Sequence, residues 1–146
     1  MKLGWILWLA SVLPQPADDQ LCLATTIYLE ARNQSVLGQQ AVAEVALRRL
    51  DSGRWGDSLC EVLLKPRQFA PTLVSDNYRL KNLRAWERSW NVALEAMANW
   101  QQSPEHREYV VPDADHFVAQ ALASPYWAKG EPVRVIGDHS FYQVGF

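Results

Sequence analysis

The pattern of residues 23–49 limits the possible folds of this chain most strongly. It predicts two helices and places one carboxylate on the apolar side of the first. Projecting residues 21–32 at about 100° per residue places Glu30 close to Leu23 and Ile27. A helix usually turns its charged residues toward water. Burial favours the protonated form of a carboxyl group and raises its pKa. Glu30 is therefore either a candidate general acid or a structural glutamate paired with an arginine.

Apolar spacing predicts a mainly helical chain. Helices are expected over 20–32, 38–50, 59–64 and 83–101. The last of these carries an apolar stripe at spacings of 4, 3, 4 and 3, formed by Trp86, Trp90, Ala93, Met97 and Trp100. Residues 112–123 predict another short helix, which contains His116, and residues 132–146 predict one or two short strands. These elements make a single α+β domain that is mainly α.

Arg49 projects onto the apolar face of the second helix, between Val42 and Val45. It is a candidate partner for an inward-facing carboxylate. The alternative is an arginine at a helix end whose charged head reaches back to water.

The size and charge of the chain exclude some functions. At 146 residues and 49% hydrophobic, the chain is long enough for one sizeable core and too short for two ordinary domains. Its formal net charge is -2, with acidic and basic residues mixed along the sequence. A nucleic-acid-binding protein that depends on a strong basic field is therefore not expected.

The first 17 residues differ from the rest. Lys2 precedes an uncharged apolar run over residues 3–13, and prolines follow it. As a helix this run reaches about 16 Å, against about 30 Å for a hydrocarbon core, so a stable anchor is not expected. We predict an export signal or releasable membrane segment over residues 1–17, with the main domain over 18–146. Membrane contact is then transient, through residues 3–13 only, and the protein is exported to the periplasm or cell envelope. A helix of the mature domain is the open alternative.

The two cysteines, Cys22 and Cys60, suggest a disulfide in an exported protein. Closing a loop of about 40 residues stabilises a fold by roughly 4 kcal/mol in the chain-entropy model. Two buried free thiols are the alternative.

A series of short motifs extends across residues 21–143. In chain order they are I-Y-x-E-A-R at 27–32, G-Q-x-A-V-A at 38–43, C-x-V at 60–62, Q-F at 68–69, D-H at 115–116, P-Y-W at 125–127 and I-G-x-H-x-F-Y at 136–142. Their number and order resemble the SleB-type cell-wall hydrolases, a peptidoglycan-cleaving family. The predicted elements and this resemblance agree on a lysozyme-like domain.

The resemblance implies roles for seven residues. Glu30 is the expected catalytic acid. Substrate-binding roles are expected for the others, which are Gln34, Gln68, Phe69, Tyr126, His139 and Tyr142. Gln34 stands where the family commonly has a second glutamate. Its amide is not a base or a nucleophile, although it is able to hold a sugar hydroxyl.

The chemistry that we expect follows from a single buried acid. We therefore expect a lytic transglycosylase, which needs only one glutamate and gives 1,6-anhydro-muramic ends. A two-carboxylate muramidase is the alternative mechanism, and a non-catalytic peptidoglycan-binding module is the alternative class. The three histidines show no metal-ligand spacing, so we expect no metal and no cofactor. The expected partner is the peptidoglycan glycan strand, bound by a monomer.

Overall fold

The computed structural model describes residues 1–119, 121 and 123–145. Five helices are present in these residues: α1 (Leu3–Val12), α2 (Ala17–Ala31), α3 (Val36–Ser52), α4 (Leu59–Leu64) and α5 (Leu83–Trp100). Three strands follow: β1 (His116–Ala119), β2 (Arg134–Ile136) and β3 (His139–Tyr142). Short 3-10 turns occur at Ala70–Thr72 and Pro104–His106. The predicted α+β, mainly α class is confirmed.

Side-chain caps explain where three of the helices begin. The side chains of Ser35, Ser58 and Asn82 each accept a hydrogen bond from a backbone N–H in the first turn of α3, α4 and α5. Helix α3 ends at Gly53, which has a φ of 70° and lies in the left-handed region. The cap at Ser35 starts α3 two residues before the predicted position.

Helix α2 is the centre of the core, because it packs against α1, α3, α4 and α5. Every residue over 21–28 is buried, which is why α2 shows no strongly polar face in this stretch. A disulfide joins Cys22 of α2 to Cys60 of α4, with the two Cα atoms 5.4 Å apart. The predicted disulfide is therefore confirmed.

The sheet is antiparallel with strand order β1-β3-β2. His116 of β1 lies opposite Tyr142 of β3, and Ile136 of β2 lies opposite His139. The helix predicted around His116 is wrong, because this segment forms β1. Phe117 and Val118 favour strands, and pairing with β3 decides the outcome.

Helix α1 packs on the domain through Leu3, Ile6 and Ala10, all of which are buried. The Leu3 N–H donates to the Tyr78 carbonyl at 2.8 Å, and the Leu80 N–H donates to the Met1 carbonyl at 2.8 Å. No helix in the described residues has the length and apolar character to cross a bilayer. The export role of residues 1–17 stays a prediction.

Candidate active site

Glu30 lies in the last turn of α2, at the point where α2 meets the 3-10 turn Ala70–Thr72. Its side chain lines a cleft and is largely enclosed by protein. Burial raises the pKa of Glu30 to about 7, while a hydrogen bond from the Ala70 backbone and the charge of Arg49 partly oppose the rise. The carboxyl group thus exchanges a proton near neutral pH, as a general acid requires.

Arg49, near the end of α3, is 5% exposed and lines the same cleft. Its Nε donates to the Asp115 carbonyl at 2.8 Å, and its Nη1 donates to Gln68 Oε1 at 3.3 Å. The guanidinium lies 3.9 Å from the centroid of the Trp55 ring. Burial lowers the pKa of Arg49 to about 10, so it stays charged at neutral pH. Arg49 therefore acts on Glu30 through its charge, which lowers the pKa of that carboxyl group, and the alternative that Arg49 reaches to water is wrong.

Asp115 and His116 form a second polar pair at the base of β1. The Asp115 carboxylate accepts hydrogen bonds from the Val144 N–H at 2.8 Å and the Gly145 N–H at 2.9 Å. Its Oδ1 lies 2.9 Å from His116 Nδ1. Burial raises the pKa of Asp115, but these hydrogen bonds outweigh it and leave the pKa below its ordinary value. Asp115 therefore stays ionised and orients the imidazole.

Aromatic rings hold His116 on both sides. The centroid of its ring lies 5.8 Å from that of Trp55 and 4.7 Å from that of Trp127. Burial lowers the pKa of His116 and favours the neutral ring. Trp127 also lines the cleft, so its ring forms part of the cleft surface and does not serve only to pack the core.

The cleft has a volume of about 630 Å³. Among the described residues that line it, Glu30 is the only carboxylic acid. Trp55, Phe117, Tyr126 and Trp127 supply aromatic surface. An aromatic groove with one buried acid suits a polymer of neutral sugars.

Four of the seven predicted site residues meet in this cleft, namely Glu30, Gln68, Tyr126 and His139. His139 is 5% exposed, and its Nδ1 has no hydrogen-bond partner among the described residues. Burial lowers the pKa of His139 and keeps its ring neutral. Tyr126 is the opposite case, since 77% of it is exposed at the rim.

The other three predicted residues do not line the cleft. The Gln34 Nε2 donates to Asp138 Oδ2 at 2.8 Å, and its Oε1 accepts from the Asp138 N–H at 3.1 Å, so this amide closes the turn between β2 and β3. Phe69 and Tyr142 are buried, at 1% and 4% exposure. Phe69 packs against Phe117, and Tyr142 packs against Trp127. Their roles in binding stay predictions.

Sequence reasoning missed Trp55, Arg67 and His116 as cleft residues. Trp55 and Arg67 lie in loops, where no periodicity marks the direction of a side chain. Arg67 directly precedes the Q-F motif, and that position is the one signal that could have identified it.

Comparison with known proteins identifies the family of the chain. The model of the cell wall hydrolase family matches residues 33–142, three quarters of the chain. The chain belongs to this family.

Curated relatives of this chain include two spore cortex-lytic enzymes. The enzyme of Bacillus subtilis (strain 168) is 32% identical over 125 residues, which are 85% of this chain and 37% of the relative. The enzyme of Oceanobacillus iheyensis is 31% identical over 124 residues, which are 85% of this chain and 41% of the relative. The chain thus spans about two fifths of the length of these relatives.

Two solved structures share the fold. One is the catalytic domain of the germination-specific lytic transglycosylase SleB from Bacillus anthracis, with a TM-score of 0.67 and 26% identity over 89% of this chain and 99% of that domain. The other is the catalytic domain of the Bacillus cereus SleB protein, with a TM-score of 0.68 and 26% identity over 89% of this chain and 94% of that domain. The predicted SleB-type family and lysozyme-like fold are confirmed.

Proposed function

We propose that this cell wall hydrolase cleaves the β-1,4 bond between N-acetylmuramic acid and N-acetylglucosamine in peptidoglycan, as a lytic transglycosylase. The observation that carries the proposal is the environment of Glu30. This acid is largely buried, burial raises its pKa to about 7, and it is the only carboxylic acid among the described cleft residues. The similarity to a domain named as a lytic transglycosylase supports it.

The reaction needs one group that gives a proton and then takes one back. Protonated Glu30 donates its proton to the glycosidic oxygen as the bond to C1 of the muramic acid breaks. The resulting Glu30 carboxylate then accepts the proton of the muramic C6 hydroxyl, whose oxygen forms the new bond to C1. The product is a 1,6-anhydro sugar, and no water is consumed. The attacking hydroxyl belongs to the reacting sugar, so it has a large effective concentration over water.

The surroundings of Glu30 suit both steps. Burial favours the protonated acid before the bond breaks. The charge of Arg49 and the Ala70 N–H favour the carboxylate that remains afterwards. These opposing effects keep the pKa near neutral, where the acid and the base are both accessible.

Three further residues are proposed to bind the sugars. The Gln68 Oε1 accepts a hydrogen bond from Arg49 Nη1. The amide N–H groups of Gln68 are then left to donate to a sugar hydroxyl. The His139 ring is neutral, and its buried Nδ1 has no acceptor among the described residues, so we place the proton on Nε2, where it is able to be donated to a sugar. Tyr126, exposed at the rim, offers a face for a sugar ring.

The geometry disfavours a two-carboxylate muramidase. That mechanism needs a second carboxylate across the cleft, about 5–9 Å from the acid. Asp115, which directly precedes β1, is absent from the described lining, and three hydrogen bonds occupy its carboxylate. Gln34 is an amide that is bonded to Asp138.

Product analysis tests the proposal. Purified peptidoglycan is digested in oxygen-18 water, and the soluble products are identified by mass spectrometry. We expect 1,6-anhydro-muramic ends without the heavy oxygen. Labelled reducing ends as the main product would indicate a hydrolase, and binding to cell walls with no release would indicate a binding module.

A matched pair of variants tests the role of Glu30. Glu30→Gln keeps the shape of the side chain but donates no proton, so the rate should fall by about 100-fold or more. Glu87→Gln makes the same chemical change on the exposed face of α5 and should leave the rate unchanged. Near-normal turnover by folded Glu30→Gln would remove Glu30 from the mechanism.

The protein is further proposed to act as an exported monomer in the periplasm or cell envelope. The substrate lies outside the cytoplasmic membrane, in agreement with an export signal in residues 1–17. Helix α1 exposes Trp5, Trp8, Leu9 and Val12 at helical spacing, which supports transient membrane contact through this segment. Fractionation of cells that express the full chain tests the location, and light scattering tests the monomer.

A further inference from the structure

Arg67 has a backbone conformation that is unusual for a residue with a large side chain. Its φ is 66°, in the left-handed region that few residues other than glycine adopt. The turn around it is tied in place, because the Arg67 N–H donates to Thr72 Oγ1 at 3.0 Å and the Gln68 N–H donates to the Lys65 carbonyl at 3.3 Å. This conformation costs free energy, and such positions tend to occur at functional sites.

The Arg67 side chain lines the cleft, where no described residue pairs with it. It is exposed, and it makes no hydrogen bond or ion pair with the described residues. Arg49, the other arginine of the lining, is buried and donates hydrogen bonds to Asp115 and Gln68. Arg67 is thus the cleft cation that remains available to a ligand.

The charge of the cleft differs from that of the whole protein. The chain carries a formal net charge of -2. The described cleft residues, in contrast, contain two arginines and one carboxyl group, and that group is partly protonated near neutral pH. Because Arg49 is buried, Arg67 presents the positive charge to solvent at the mouth. A ligand that carries an anionic group is therefore favoured.

We infer that Arg67 binds a carboxylate on the muramic acid substituent of the glycan strand, which rests on the proposed function. The sugars themselves are neutral, while the peptide on the muramic lactyl group carries carboxylates. A guanidinium matches a carboxylate with two parallel hydrogen bonds. Arg67 thereby selects strands whose muramic acid substituent carries a free carboxylate and sets their register beside Glu30.

The test measures binding without turnover. In a Glu30→Gln background, the protein is sedimented with insoluble peptidoglycan and with the same material whose carboxyl groups have been converted to methylamides. Arg67→Ala should weaken binding to native peptidoglycan about three- to fivefold, as expected for an exposed charge pair. It should leave binding to the methylamide form unchanged.

Three controls make the result specific. Arg67→Lys should retain part of the affinity. Arg67→Gly should match Arg67→Ala, because glycine adopts this φ without strain and a shared loss then reflects the missing charge. Arg54→Ala removes an exposed arginine outside the cleft lining and should bind like the parent. No effect of Arg67→Ala on native peptidoglycan, or an equal loss on both materials, would overturn the inference.

Competition distinguishes the two sources of the carboxylate. Soluble strands stripped of peptide by an amidase carry a free lactyl carboxylate instead. If they compete equally against the parent and Arg67→Ala, the contact is to the peptide; a weaker effect on Arg67→Ala assigns it to the lactyl group. The binding assay stands apart from catalysis, because a wild-type protein that releases no sugar would refute only the proposed reaction.

Discussion

Replacing Glu30 with glutamine should stabilise the fold increasingly as the pH rises. The folded protein raises the pKa of Glu30 from 4.5 to about 7, mainly through burial. A raised pKa means that the fold prefers the protonated acid. This contribution to stability is fully present below pH 4.5 and is lost as the pH rises through about 7. Glutamine does not ionise, so it avoids the loss.

The size of the effect follows from the same pKa. At about 1.4 kcal/mol per pH unit, a rise from 4.5 to about 7 corresponds to about 3 kcal/mol. The free energy of unfolding of Glu30→Gln, relative to wild type, should therefore increase by about 3 kcal/mol between pH 4 and pH 8.5. For a domain of this size, that is a melting-temperature difference of roughly 10 °C.

Urea denaturation, followed by tryptophan fluorescence at several pH values, measures this difference. Other titrating groups are common to both proteins and cancel in the comparison. Glu87→Gln, on the exposed face of α5, serves as the control and should show no such trend. A Glu30→Gln difference that does not vary with pH would refute the argument that burial tunes this acid.

Three other predictions concern activity, the disulfide and one glycine. The kcat/KM for peptidoglycan should fall as the pH rises through about 7, because only protonated Glu30 donates; a flat profile from pH 5 to 9 would contradict this. Reducing the Cys22–Cys60 bridge, which joins residues 38 apart, should lower the free energy of unfolding by about 4 kcal/mol, and an unchanged urea midpoint with dithiothreitol would argue against it. Both Gly137 and Gly53 have positive φ, but only at Gly137 would a Cβ collide with Gln34 Oε1. In thermal melts Gly53→Ala should cost about 1 kcal/mol from backbone strain. Gly137→Ala should cost about 2 kcal/mol, because it also displaces the Gln34 amide from its hydrogen bonds with Asp138, and equal losses would rule out the collision.

The helices and the position of Glu30 could be predicted because they depend on local spacing. The apolar period over residues 21–32 places Glu30 beside the buried stripe of α2, and the structure agrees. The helix predicted over 59–64 has the same bounds as α4, since Ser58 caps it locally. The strand β1 could not be predicted in this way, because its hydrogen bonds go to β3, whose paired residues lie 20 to 26 positions later.

The sequence by itself determined which residues face the core, the pair of cysteines and the family to which the chain belongs. These properties follow from residue types and short spacings along the chain. Only the tertiary structure decided the chemistry of the site. The pKa of Glu30 depends on burial, on the Ala70 N–H and on Arg49, and the backbone conformation of Arg67 depends on a turn that Thr72 holds. Likewise, the hydrogen-bond partner of Gln34 is Asp138, which lies 104 residues later in the chain. Burial and charge act through space, so a pattern along the chain does not specify them.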